Sequence, residues 1–130
     1  MTSNDSGNNP GALRDIRVVE LGQLLAGPFC GQLLGDMGAD VIKVEPPVTG
    51  DPMRDWGQGA EKVQWEVIAR NKRSVSANLR VPEGQALVRK LIAHADVLIE
   101  NFKPGTMEKW GLGPDVLLAE HPGLIIARMS

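Results

Sequence analysis

Five short runs of apolar, largely β-branched residues alternate with segments of helical spacing, and that alternation narrows the possible folds more than any other feature of the sequence. The runs are "IRVVEL" (16–21), "ADVIKVE" (39–45), "RSVSANL" (73–79), "DVLIE" (96–100) and "LIIARM" (124–129). Such nearly continuous apolar runs suit strands covered on both faces, as in a parallel sheet. Between the first two lies "GPFCGQLLGDMG" (27–38), with Pro28 at a favoured first helical position and Gly38 where a helix stops. "PEGQALVRKLIAHA" (82–95) gathers Leu87, Val88, Leu91, Ile92 and Ala95 on one face and opens on Pro82 and Glu83, as a helix start should. "WEVIARN" reads as a short helix, "GTMEKWG" as a short turn, and "GPDVLLAEH" as a helix opened by Pro114. Residues 46–64 hold three prolines and three glycines with no sustained period, so they read as a long loop, of the kind that is often functional.

The order β-α-β-loop-β-α-β-α-β predicts an α/β, Rossmann-like parallel sheet with helices on both faces and right-handed crossovers. The last strand stops at Ser130 with no covering helix after it, which reads as a truncated part of a larger domain. The start, "MTSNDSGNNPGA", lacks the basic and apolar regions of a signal peptide, so residues 1–12 read as a disordered tail and 13–130 as an incomplete Rossmann-like domain. A net charge of -2 argues against a surface built for nucleic acid. No apolar run approaches the roughly eighteen residues needed to span a bilayer. Cys30 is the only cysteine, so no internal disulfide or paired-cysteine metal site is available, and a reducing cytoplasm fits.

Glycines at 27, 31 and 35 fall four apart within the first helical segment, where each weakens a helix by about 1 kcal/mol relative to alanine. Gly31 and Gly35 are expected to let backbones approach closely. Gly27 is expected in the turn between strand one and the helix, where open α/β sheets bind ligands. The loops "GQLLAG" (22–27) and "ENFKPG" (100–105) should open onto one crevice beside the reversal in strand order. Glu45 stands eighteen residues past Gly27, about where a dinucleotide's ribose would find its acid, but no G-x-G-x-x-G is present and Pro28 removes a backbone donor.

The segments "IRVVELGQLLAGPFCGQLLGDMGADVIKVEPPVTGD", "RNKRSVSANLRVPEG", "ADVLIENFKPGTMEKWGLG" and "PGLIIARMS" together resemble the class III coenzyme A transferases, the CaiB/BaiF family, from about Leu13 to Ser130. The resemblance implies transfer of coenzyme A from an acyl-CoA to a carboxylic acid, with both as substrates and no permanently bound cofactor or metal. It also implies an interlocked homodimer. The attacking aspartate of the transferases lies downstream of "LIIARMS", which leaves no catalytic residue here. By the same resemblance Leu25 and Ala26 would lie against the coenzyme, with Leu25 where some relatives have glutamine. Ala77, Asn78, Leu79 and Arg80 would line its adenosine end. Asn101, Phe102 and Lys103 match a contact loop, Lys109 stands where a relative has arginine, and Pro46 stands where others hold a phosphate with arginine.

Coenzyme A carries a pyrophosphate and a ribose phosphate, so Arg73, Arg80, Lys103 and Lys109 are candidate phosphate partners, Phe102 a surface for the purine, and Asn101 a donor to a ring nitrogen or ribose oxygen. Each has a plainer role open to it: solvated charge for the cations and the "RNKR" turn (70–73), core packing for Phe102. His94, His121 and Cys30 read as structural, and Asp36, Asp40, Asp51 and Asp55 as caps and solvated charges. Trp56 could border an acyl pocket. Two other functions share these segments: α-methylacyl-CoA racemisation on the same fold, and nucleotide binding without catalysis.

Overall fold

The computed structural model describes residues 11–57 and 63–130, so most of the expected tail falls outside the described residues. Within them, β1 (Arg17–Glu20), β2 (Asp40–Glu45), β3 (Lys72–Ser76), β4 (Val97–Glu100) and β5 (Ile125–Arg128) form a parallel sheet in the order β3-β2-β1-β4-β5. The helices are α1 (Ala26–Asp36), α2 (Val63–Ala69), α3 (Pro82–Ile92), α4 (Thr106–Lys109) and α5 (Pro114–Glu120).

Neighbouring residues of the central strands point to opposite faces, which is why their sequences are apolar without alternation. Val19 of β1 and Leu98 of β4 pack with Val88 and Ile92 of α3, Met107 of α4 and Leu117 of α5. Val18 and Ile99 pack on the other face with Val41 and with Cys30 and Leu34 of α1. Helices therefore cover both faces, as the pattern predicts. Val18, Val19, Leu98 and Ile99 are fully buried, each worth about 1.5–3 kcal/mol of transfer free energy. The strand order reverses between β1 and β4, whose register pairs Val18 with Val97 and Glu20 with Ile99. A crevice forms beyond the carboxyl ends of those two strands.

Helix α1 stops where expected: Gly38 takes the left-handed φ of 105°, its N–H bonds Gly35 O at 3.0 Å, and the Ala39 N–H bonds Leu34 O at 3.0 Å. Its glycines differ from expectation. Gly27 lies inside α1 rather than in the preceding turn, and a Cβ there would fall 2.8 Å from Gly22 Cα and 3.1 Å from Asn101 Oδ1. A Cβ on Gly31 would strike the carboxylate of Glu20, so that glycine admits a buried charge and not a neighbouring backbone. Gly35 has only ordinary contacts, the nearest 3.5 Å away, and its close-packing role is not required by space.

The long loop after β2 contains a 3₁₀ helix over Pro52–Asp55, capped by Asp51, and α2 already includes Val63 and Gln64 ahead of the expected Trp65. Strand β3 ends at Ser76, short of the expected 79, because the Asn78 carboxamide accepts the Arg80 N–H at 3.0 Å and turns the chain toward Pro82. Strand β5 closes one edge of the sheet, and Ile125 on it is 65% exposed.

Candidate functional site

Three strands end in a buried glutamate: Glu20 on β1, Glu45 on β2 and Glu100 on β4. Buried carboxylates persist only when paired, and here each has at least one cation, while Glu45 and Glu100 also hold a loop N–H. Glu100 accepts the Phe102 N–H at 2.8 Å and binds Arg128 at 2.5 Å, which sets the course of the chain leaving β4. Glu45 accepts Arg54 through both oxygens at 2.7 and 2.8 Å, Ser74 Oγ at 2.5 Å and the Asp51 N–H at 2.8 Å. Its lone pairs are thus engaged, and a ribose would find no free acceptor there.

Burial raises the Glu45 pKa, but the Arg54, Ser74 and Asp51 hydrogen bonds outweigh it and bring it from 4.5 down to about 2. A carboxyl with a depressed folded-state pKa contributes stability that is present above its unfolded value and lost as pH falls through the folded one. Urea unfolding of the native chain should therefore weaken more steeply than that of Glu45→Gln between about pH 5 and about pH 2. Parallel pH profiles for the two chains would contradict this.

Glu20 belongs to a longer buried chain of charges. Lys72 Nζ donates to Glu20 Oε1 at 2.8 Å and to Pro28 O at 2.7 Å, and its pKa is lowered by burial against the opposing pull of Glu20. Lys43 Nζ lies 3.2 Å from Glu20 Oε2 and 2.6 Å from Asp51 Oδ2, and it donates to Gly22 O at 2.9 Å. Asp51 Oδ1 accepts the N–H groups of Leu24 at 3.0 Å and Met53 at 2.8 Å. Asp51 was expected to be a solvated cap; it does cap the 3₁₀ helix, but it is 1% exposed. Glu20 and Lys43 were not singled out in the sequence, although they hold the turn after β1 and Asp51 in place. The available signal was a charge enclosed by apolar neighbours in a central strand, "VVEL" and "VIKVE", which demands a partner.

These loops enclose a cavity of about 580 Å³ at the carboxyl ends of β1 to β4. Ala77, Asn78, Leu79, Arg80, Phe102 and Lys103 all line it, joined by Gln23 from the turn after β1 and Pro46 from the loop after β2. The expected meeting of the turns after β1 and β4 is therefore present. Phe102 packs edge-on against Trp110, ring centroids 5.1 Å apart, and is half-buried against the core while it borders the cavity. Arg80 and Lys103 are exposed at its margin and form no ion pair among the described residues.

Other expected site residues stand elsewhere. Asn101 closes a clasp: its Oδ1 accepts the Gln23 N–H at 2.7 Å and its Nδ2 donates to Gln23 O at 2.9 Å, so the amide is engaged in joining the two turns. Lys109 ends α4, exposed and outside the lining. Arg73 binds Asp40 at 2.7 and 2.8 Å, at the start of β2 and away from the rim. The rest of the "RNKR" turn is equally engaged, with Arg70 on Asp36 at 2.6 Å and Lys72 on Glu20. Leu25 and Ala26 are exposed at the start of α1. Leu25 lines a separate apolar groove of about 470 Å³, with Phe29, Trp56, Val67 and Ile68.

The likeness to known proteins agrees with this geometry. The model of CoA-transferase family III matches residues 13–130. A succinyl-CoA–D-citramalate CoA-transferase of Chloroflexus aurantiacus is 60% identical over 124 residues, covering 93% of this chain and 31% of that protein. The human succinyl-CoA:glutarate CoA-transferase is 41% identical, covering 95% and 29%. The crystal structure of a CaiB/BaiF family protein from Brucella suis superposes with a TM-score of 0.83 at 46% identity, covering 91% of this chain and 33% of that one. The chain thus spans about a third of the length of these relatives. No helix among the described residues is long and apolar enough to cross a membrane. With its doubly covered sheet, its reversal of strand order and its rim cavity, the chain belongs to CoA-transferase family III.

Proposed function

We propose that this chain supplies the coenzyme A-binding wall of an enzyme that moves coenzyme A from an acyl-CoA to a carboxylic acid. The observation that carries the proposal is the convergence of Ala77–Arg80 with Phe102 and Lys103 on one cavity at the strand-order reversal, with two cations at its margin that form no ion pair among the described residues. A ligand with a pyrophosphate and a ribose phosphate gains charge-assisted hydrogen bonds from Arg80 and Lys103. The apolar faces of Leu79 and Phe102 suit its purine. The buried glutamates below are neutralised by their own cations, so they do not oppose an anion above them.

Transfer itself needs a carboxylate free to attack a thioester, and Glu45, the carboxylate lining this cavity, is held by Arg54, Ser74 and the Asp51 N–H. We therefore assign binding, not turnover, to these 130 residues alone. The family likeness also supports a cytoplasmic homodimer as the working form. The exposed apolar side chains of Leu25, Phe29 and Val67 along α1 and α2 favour a covered face there.

Calorimetric titration tests the assignment. The native chain should bind coenzyme A and not NAD, and replacing Arg80 and Lys103 together by alanine should weaken coenzyme A at least about tenfold. Binding of NAD but not coenzyme A, or affinity indifferent to both cations, would overturn it.

A further inference from the structure

The turn Gly22–Gln23–Leu24 is held in an unusual way. Its Gly22 carbonyl is bound by Lys43, its Gln23 N–H and carbonyl by Asn101, and its Leu24 N–H by Asp51. Four consecutive backbone groups are thus satisfied by side chains from other segments, two of those side chains being buried charges. The turn needs that hold, because Leu24 takes a left-handed φ of 66°, which costs a residue with a branched side chain about 1–3 kcal/mol. Such a conformation persists only where its surroundings over-determine it.

Gln23 forms one wall of the rim cavity, while Leu24 forms part of the neighbouring apolar groove. Asp51 lines neither, yet Gly50 and Pro52 beside it border the first and Met53 the second. It therefore stands in the partition between the two spaces. We propose that Asp51, held by Lys43, is a positioning residue that fixes the Gln23–Leu24 turn as a wall of the rim cavity, so that ligand affinity depends on a side chain the ligand does not reach. The proposal rests on coenzyme A as the ligand of that cavity.

Two double variants separate positioning from mere charge balance. Lys43→Met with Asp51→Asn removes both charges but keeps an oxygen for the Leu24 N–H, whereas Lys43→Met with Asp51→Ala removes the oxygen as well. Both leave Glu20 with Lys72 and both have the same buried charge. The alanine pair should bind coenzyme A about tenfold more weakly than the asparagine pair, since they differ in the oxygen that accepts the Leu24 N–H and, with it, the Met53 N–H. Equal affinities in two folded variants would overturn the proposal. A further measurement on the native chain does not depend on either variant folding: the Leu24 amide should exchange with solvent deuterium as slowly as the strand amides, and rapid exchange would overturn the proposal. Failure of the native chain to bind coenzyme A would refute the ligand assignment, and slow or fast exchange at Leu24 would then uphold or refute the fixing of the turn by itself.

Discussion

Gly84→Ala should lower the stability of the chain by about 3 kcal/mol and abolish tight coenzyme A binding, although helix propensity alone favours alanine there by about 1 kcal/mol. Gly84 is the third residue of α3, and it is buried. A Cβ at that position would collide with the Asn78 carbonyl oxygen and lie 2.5 Å from its carbon. The obstacle is backbone, which no rotamer change can relieve. Asn78 would have to move, and with it the segment that forms one side of the rim cavity. Gly35→Ala is the matched control, since its Cβ would meet nothing nearer than 3.5 Å, and it should be neutral or stabilising by about 0.5–1 kcal/mol. Urea midpoints for the two variants give the comparison directly. A Gly84→Ala chain as stable as Gly35→Ala would contradict the packing described for α3.

Lys43→Met is expected to cost about 3–5 kcal/mol, because it removes one partner of a buried ionic group and leaves the rest in place. The lysine side chain is 2% exposed, and its ammonium is shared among Glu20, Asp51 and the Gly22 carbonyl. Methionine matches its length and would pack well, so the loss is electrostatic and not a cavity. Ordinary domains have about 5–15 kcal/mol in all, and a change of this size takes a large part of it. Adding Asp51→Asn to Lys43→Met should return part of the loss, since Glu20 keeps Lys72 and the carboxylate left unpaired is that of Asp51. If the double variant proved less stable than Lys43→Met, the unpaired Asp51 carboxylate would not be the cause. Chemical unfolding at constant pH distinguishes the two.

The sheet was legible because its signals are local. Runs such as "IRVVEL" and "DVLIE" carry their own burial pattern, and Pro82, Pro114 and Gly38 punctuate the helices in the sequence itself. The crevice followed from strand order, which chain connectivity restricts strongly. What escaped was everything that depends on distant partners. Asn101 meets Gln23 across 78 positions, and nothing near either residue announces the clasp. Asp51 sits in a stretch of prolines and glycines that reads as solvated loop, yet Lys43 draws it inside. Arg73 and Arg80 look alike as exposed cations in the sequence. Only the register of β2 with β3 puts the first beside Asp40, while the second stands at the rim with no ion pair among the described residues. Gly27 was misjudged by a shift of one or two residues in a helix start, which is the scale on which such boundaries are uncertain.

The claim on which all this converges is that the rim cavity at the carboxyl edge of β1 to β4 takes coenzyme A. Backbone amide shift mapping of the labelled chain during coenzyme A titration tests it most directly. The expected perturbations fall on Asn78, Leu79, Arg80, Phe102, Lys103 and Gln23, and they leave the Arg73–Asp40 end of the sheet unchanged. Perturbations confined to the apolar groove around Phe29, Trp56 and Val67, or to Arg73, would contradict it.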